Sequence, residues 1–383
     1  MEKNFGIGCY HFGIRQDTPF KFKGSHYISE LRAALSKIPN LDNLKIDTDD
    51  DFENEIEEIE EPLPILADEG GYFPYPSYLD IQFDLFIPFR IQAELCATEE
   101  KFLSTFSEKF RIKISQSYHF PFAIIETLNP TRDNAPSNAV RIIREFLEKE
   151  FTKEKSSFIR FECIGPSPFH LDCFIKPKEP EEDGNWLIEP EVSIERGYDK
   201  LTFYYNAKEI TDSDEALEYL MTSIEDEFGL FYKYVQLRQE RMHSWATIQN
   251  SLQELQTMQN APGIKGFFNR LFKRPSLIGK LFTDLATFEA KDIYNNGIRR
   301  NEYNEVYRLK EEMFFKTFID KEIEEKYEYP VKQITELVKF YEGRRVKSVE
   351  LIIAIIAAIL GGAIGAFLTI YFQSSQSIPV TGQ

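Results

Sequence analysis

The run Leu351–Phe372 constrains the chain more than any other feature, because it contains no charged residue. At about 1.5 Å per residue a helix over this run reaches roughly 33 Å, enough for a hydrocarbon core of about 30 Å. Cores of soluble domains rarely carry so long an uninterrupted apolar run, so residues 349–372 are expected to form one transmembrane helix, with a short non-cytosolic tail over 373–383. Arg344, Arg345 and Lys347 precede the run and no Lys or Arg follows it, which places the amino-terminal part in the cytoplasm. The start of the chain lacks the basic segment, apolar stretch and small-residue cleavage site of a secretory leader. The expectation is a single-pass, tail-anchored membrane protein.

Small residues recur within the span. Ala354, Ala358, Gly362 and Ala366 are spaced by four, and Ala357, Gly361 and Gly365 form a neighbouring row. Such a face lets two helix backbones approach closely, which drives association where lipid offers no hydrophobic gain. A homo-oligomer packed through Ala354, Ala358, Gly361, Gly362, Gly365 and Ala366 is expected.

Charge narrows the partners. The chain carries 63 acidic and 45 basic side chains, a net charge of -18, which argues against a nucleic-acid partner. Ala261–Thr283 reverses that balance: it has no acidic residue, and Lys265, Arg270, Lys273, Arg274 and Lys280 alternate with Phe267, Phe268, Phe272 and Phe282. A basic, aromatic connector of this kind suits an anionic lipid surface, and equally a helix–helix connector whose rings are packed.

Residues 1–210 mix two periods. Leu79 to Ile91 alternates apolar and polar side chains and reads as a half-buried strand, with Pro88 marking an edge or bulge. Ile159–Cys163 and Phe169–Ile175 alternate on either side of Gly165-Pro-Ser-Pro168 and read as a β-hairpin. Phe5–Ile14, Arg111–Ser115, Phe120–Leu128 and Leu201–Tyr205 are further strands; Ile28 to Ile38, Thr98–Phe110 and Asn138–Phe151 read as helices. The fold class is α+β, with a mixed, largely antiparallel sheet. Asp47–Glu61 and Glu179–Asp183 read as acidic, solvated loops. The first places Asp47, Asp49, Asp51 and Glu58 at calcium-loop spacing, but Phe52 stands where the sharp turn needs glycine.

Residues 211–348 read as a helical bundle or stalk with coiled-coil character, broken at Asn260–Gly263 and Pro330. Its last helix, Val331–Gly343, feeds the span.

No sequence signal for catalysis, a cofactor or a metal emerges. Gly6-Ile-Gly8 lacks the third glycine of a dinucleotide site, and no HExxH, GxSxG or GxxxxGK[ST] occurs. Cys163, His170 and Cys173 are separated by strand period, so core cysteines are expected rather than zinc ligands.

The order of elements (cytosolic α/β head, long helices, stalk, carboxy-terminal span) resembles the CorA-type cation transporters. That family carries Gly-Met-Asn at the end of the first of two spans. Here the span reads Gly361-Gly-Ala-Ile-Gly365 and no second apolar run follows Phe372, so no functional residue transfers. The leading reading is a non-enzymatic sensor or interaction domain, binding a protein or small ligand, on a self-associating membrane helix. The resemblance implies an alternative, an oligomeric channel or membrane-disrupting effector gated by the head. A membrane-tethered enzyme with a dispersed site is third.

Overall fold

The computed structural model describes residues 2–15, 20–59, 78–98, 105, 107–116, 121–130, 135–153, 158–163, 171–179, 186–195, 198–309, 313–324, 328–343, 357, 358 and 360. They group into two compact units. The first is Met1–Gln239 with Asn296–Lys326, and the second is Glu240–Asn295 with Tyr327–Gln383.

In the first unit the strands are β1 (Lys3–Gly8), β2 (Tyr10–Ile14), β3 (Phe20–Lys23), β4 (Leu41–Thr48), β5 (Ile56–Ile59), β6 (Leu79–Phe86), β7 (Lys109–Gln116), β8 (Phe122–Leu128), β9 (Ile159–Cys163), β10 (Leu171–Lys178), β11 (Ile188–Glu195) and β12 (Tyr198–Asn206). The helices are α1 (Gly24–Ser36), α2 (Asp50–Asn54), α3 (Phe89–Leu95), α4 (Pro136–Lys153), the first part of α5 (Ser213–Asn260), the end of α7 (Arg274–Leu309) and α8 (Lys316–Glu324).

Eight strands form one sheet in the order β11-β12-β10-β1-β8-β7-β6-β4. Only β10 and β12 within it pair in parallel, so the sheet is mixed as expected. Two apolar cores lie against opposite faces. On one, Leu79, Ile81, Phe83 and Leu85 of β6 and Phe110, Ile112 and Ile114 of β7 join Leu31 and Leu35 of α1 and Ile143 and Leu147 of α4. On the other, Phe5, Ile7, Leu171, Cys173, Leu201 and Phe203 join Leu217, Leu220, Ile224 and Phe228 of α5 and Ile319 of α8. β8 contributes to both, Ala123 and Ile125 to the first and Phe122 and Ile124 to the second. That double coverage explains its unalternating sequence, whereas β6, covered on one face, alternates.

α4 packs closely on β1 because two glycines leave room. A Cβ on Gly6 would lie 2.5 Å from the Pro136 carbonyl oxygen, and one on Gly8 would lie 2.8 Å from Val140. The Gly6-Ile-Gly8 pair is thus a packing device.

Several sequence expectations are corrected. The strand read to Ile91 ends at Phe86, and Pro88 caps α3 instead of marking an edge, its carbonyl accepting from the Ile91 and Gln92 amides. Gln92, which looked like an outward strand residue, is fully buried; its amide nitrogen donates to the Ile87 and Ser107 carbonyls and its oxygen accepts from Thr105. β9 and β10 do not form a hairpin. Tyr10 to Ile14 pair with Cys163 to Ile159, and Lys3 to Phe5 pair with Ile175 to Cys173, so both segments follow the amino-terminal strand in turn. Alternation sets which face is buried and leaves the partner open. The helix expected over Thr98–Phe110 gives way at its end to β7, where Phe110, Ile112 and Ile114 alternate into the core; 99–104 and 106 lie outside the described residues. Asp47–Glu61 is no plain loop as far as Ile59. Asp49 caps α2 by accepting from the Phe52 amide at 2.5 Å, and the buried Phe52 ring meets Tyr27 edge-on. The buried Phe52 ring anchors this acidic stretch to the core, while Asp47, Asp50, Asp51 and Glu55 are exposed. Of the calcium-loop positions, Asp47 falls on β4, Asp49 is the N-cap of α2, Asp51 lies in α2 and Glu58 in β5. Residues 180–183 of the second acidic loop lie outside the described residues.

The second unit is helical. It holds α5 from Glu240, α6 (Gly263–Phe272), α7 to Asn295, and α9 (331–343). Its core combines Trp245, Ile248 and Leu255 of α5, Leu277, Leu281, Leu285 and Phe288 of α7, and Val338 of α9. Trp245 lies 5.4 Å from Phe288 and 4.9 Å from Tyr329, and Arg241 pairs with Asp292 at 2.7 Å. α5 and α7 therefore run antiparallel, joined by α6.

Candidate functional site

α6 is built to turn abruptly out of α5. Pro262 is its N-cap and Gly263 has φ +77°, a left-handed conformation that a side chain would strain. At Gly266 a Cβ would lie 2.3 Å from the Ala261 carbonyl oxygen, so only glycine permits this close return of the chain. Arg270 donates to that same carbonyl at 2.5 Å, supplying a partner for the end of α5, where helical carbonyls lack intrahelical donors.

With that turn made, α6 presents its rings outward. Phe267, Phe268 and Phe272 are 44%, 51% and 69% exposed. Phe268 and Phe272, one helical turn apart, stack with centroids 6.0 Å apart and planes 4° from parallel, and Phe267 meets Phe268 edge-on at 5.8 Å. The result is a small aromatic ridge. Of the alternatives left open by the sequence, packed rings hold only for Phe282, which contacts the bundle core.

The five connector cations divide. Lys273, at the C-cap of α6, and Lys280, on α7, are exposed. Arg270 is engaged with Ala261. Arg274 is buried, donates to the Tyr341 carbonyl and lies 5.9 Å from the Tyr341 ring centre. The side chain of Lys265 lies outside the described residues.

The Arg274–Tyr341 link has a topological consequence. Tyr329, just before α9, sits beside Trp245 and Phe288, whereas Tyr341, in the last turn of α9, is held at the first residue of α7. α9 thus runs the length of the bundle and finishes at the end where α6 lies. Between α5 and α6 at that end is an open groove of about 520 Å³. Asn250, Glu254, Thr257 and Met258 line it from α5, and Asn269 and Lys273 line it from α6 and its C-cap.

The expected span falls almost wholly outside the described residues: only Ala357, Ala358 and Leu360 are described, as helical and exposed. Ala354, Gly361, Gly362, Gly365 and Ala366 of the small face, and Arg344, Arg345 and Lys347 before it, lie outside. Among the described residues no helix is long and apolar enough to cross a membrane.

Among the described residues no group of His, Cys, Asp and Glu is placed to hold a metal ion. Cys173 is buried in the sheet core, and burial pushes the Cys163 thiol up to about 12, which keeps it protonated at neutral pH. His170 lies outside the described residues. The groove and the burial of Arg274 have no signal in the sequence, because each depends on segments far apart in the chain. Comparison of the chain with protein-family models, curated proteins and solved structures finds no match.

Proposed function

We propose that this is a membrane-anchored binding protein: residues 351–372 cross the bilayer, α6 rests on its cytoplasmic surface, and the sheet unit acts as a cytosolic sensor or interaction head. The observation that carries the reading is the bond from Arg274 to Tyr341, which fixes the end of α9 beside the exposed rings of α6. From Gly343 the sequence continues through Arg344, Arg345 and Lys347 into the apolar run, so the ridge lies at the end of the bundle from which the sequence leads toward that run. The segment from Ala261 to Thr283 has cations and no acid, which complements an anionic leaflet; each near-surface cation contributes about 1 kcal/mol. Burying each exposed ring adds up to about 1.5–3 kcal/mol. The ring stack of α6, with the exposed Lys273 at its C-cap, pairs apolar surface with a cation as an interfacial helix does.

The test uses the full chain reconstituted in bilayers, with Cys96 and Cys163 replaced by Ser and a fluorophore placed at Phe272→Cys or, as a control, at the exposed Met242→Cys. Lipids carrying a shallow nitroxide should quench the probe at 272 and leave that at 242 bright. Equal quenching at the two positions would remove α6 from the membrane surface.

A further inference from the structure

The groove between α5 and α6 has a chemistry that its position does not require. Asn250, Glu254 and Thr257 occupy one face of α5 at helical spacing, and Asn269 and Lys273 face them. Glu254 and Lys273 line the same groove, yet neither forms an ion pair among the described residues. Opposite charges in one depression that do not pair with each other are each available to one end of a ligand that carries both. Met258 adds an apolar contact, and Asn250 and Asn269 add amides that donate and accept. Asn269 and Lys273 stand one helical turn apart, directly beside the row of Phe268 and Phe272.

We propose that this groove binds the headgroup of a phospholipid whose phosphodiester is linked to a primary ammonium group. Lys273 takes the phosphate, Glu254 accepts from the ammonium, the two asparagines hydrogen-bond the ester oxygens, and the acyl chains leave along the Phe268–Phe272 ridge. Such a lipid carries a phosphate and an ammonium in one headgroup, and the groove offers one cation and one carboxylate. A headgroup ending in trimethylammonium has no N–H to donate to Glu254, and one ending in glycerol has no positive charge, so both bind less tightly. This rests on α6 lying at a membrane surface.

The experiment measures binding of dihexanoyl phosphatidylethanolamine, phosphatidylglycerol and phosphatidylcholine, and of free glycerophosphoethanolamine, to the full chain in detergent. One exposed charge contact corresponds to at most about fivefold in affinity, so the ethanolamine lipid should bind up to about fivefold tighter than the glycerol lipid. Glu254→Gln should erase that preference, and Lys273→Gln should weaken all three lipids alike. Both positions are exposed, so the variants should melt with the wild type. A preference that survives Glu254→Gln overturns the proposal. Glycerophosphoethanolamine binding as tightly as the lipid overturns the lipid source and assigns the groove to a soluble headgroup compound. Quenching at Phe272 without headgroup preference sinks the groove and leaves the membrane reading standing; absence of both sinks the two together.

Discussion

The carboxylate of Glu227, fully buried in α5, accepts hydrogen bonds from the backbone amide of Phe315 at 3.1 Å, and also from the Phe314 amide and the Tyr307 hydroxyl. It thereby supplies acceptors to the chain just before α8, where helical amides have no partner of their own. Burial, with Glu227 beside it, holds the Tyr307 phenol far above its ordinary pKa, so it remains a donor.

Removing that acceptor should be costly. Glu227→Ala leaves the buried Phe315 amide without that acceptor, worth about 1–3 kcal/mol, takes the same partner from the half-buried Phe314 amide, and opens a cavity as well. Glu227→Gln keeps one carbonyl oxygen and should lose less. Thermal unfolding of the full chain in detergent should rank wild type above Gln, and Gln above Ala. An Ala variant that melts with the wild type would show that the clamp contributes nothing.

His11 gives the sheet unit a defined acid sensitivity. It lies in β2 opposite Glu162, almost fully buried, and burial, reinforced by the Arg160 guanidinium, pushes its pKa down to about 3. The unfolded imidazole titrates near 6.5, so the unfolded state binds the extra proton between the two values. Stability from this residue is complete above about pH 6.5 and falls with pH toward 3, by at most about 1.4 kcal/mol per pH unit. His11→Phe should flatten the loss between pH 6.5 and 4. An unchanged slope would assign the acid sensitivity to other groups.

The same substitution at two glycines should have opposite effects. Gly6→Ala drives a methyl to within 2.5 Å of the Pro136 carbonyl and should destabilise by about 1–3 kcal/mol. Gly279 is exposed within α7 with nothing near its missing Cβ, so Gly279→Ala should stabilise by up to about 1 kcal/mol. A Gly6→Ala variant that melts at or above the wild type would contradict the packing assigned to Gly6, and a Gly279→Ala variant that melts below it would contradict the open site assigned to Gly279.

Under the proposed membrane reading, residues 351–372 are expected to self-associate through the small residues of that sequence. Gly361→Ile or Gly365→Ile should disrupt oligomers of the reconstituted chain while preserving insertion, and Ile356→Leu, on the other side, should be silent. Equal cross-linking of Gly365→Ile and wild type would reduce the small residues to composition.

Period and charge are local properties, and what they control was legible. The alternation from Leu79 to Leu85, the helical spacing of Ile28, Leu31 and Leu35, the break at Asn260–Gly263 and the basic connector can each be read within one window of sequence, and so could the apolar run from Leu351. Partners and faces are non-local. Cys163 and Cys173 alternate alike, yet one pairs to β2 and the other lies in β10 beside β1, because pairing is decided by what the amino-terminal strand offers. Gln92 is polar and sits inside, because the Ile87 carbonyl just before α3 and the Ser107 carbonyl and Thr105 hydroxyl beyond it satisfy its amide. Arg274 and Lys273 are adjacent cations of the same connector, but only tertiary contact with Tyr341 separates them, burying one and leaving the other exposed beside a groove. A side chain's type and period determine which surface it can serve; the free energy of meeting a particular distant partner decides whether it serves the core, a cap or a ligand.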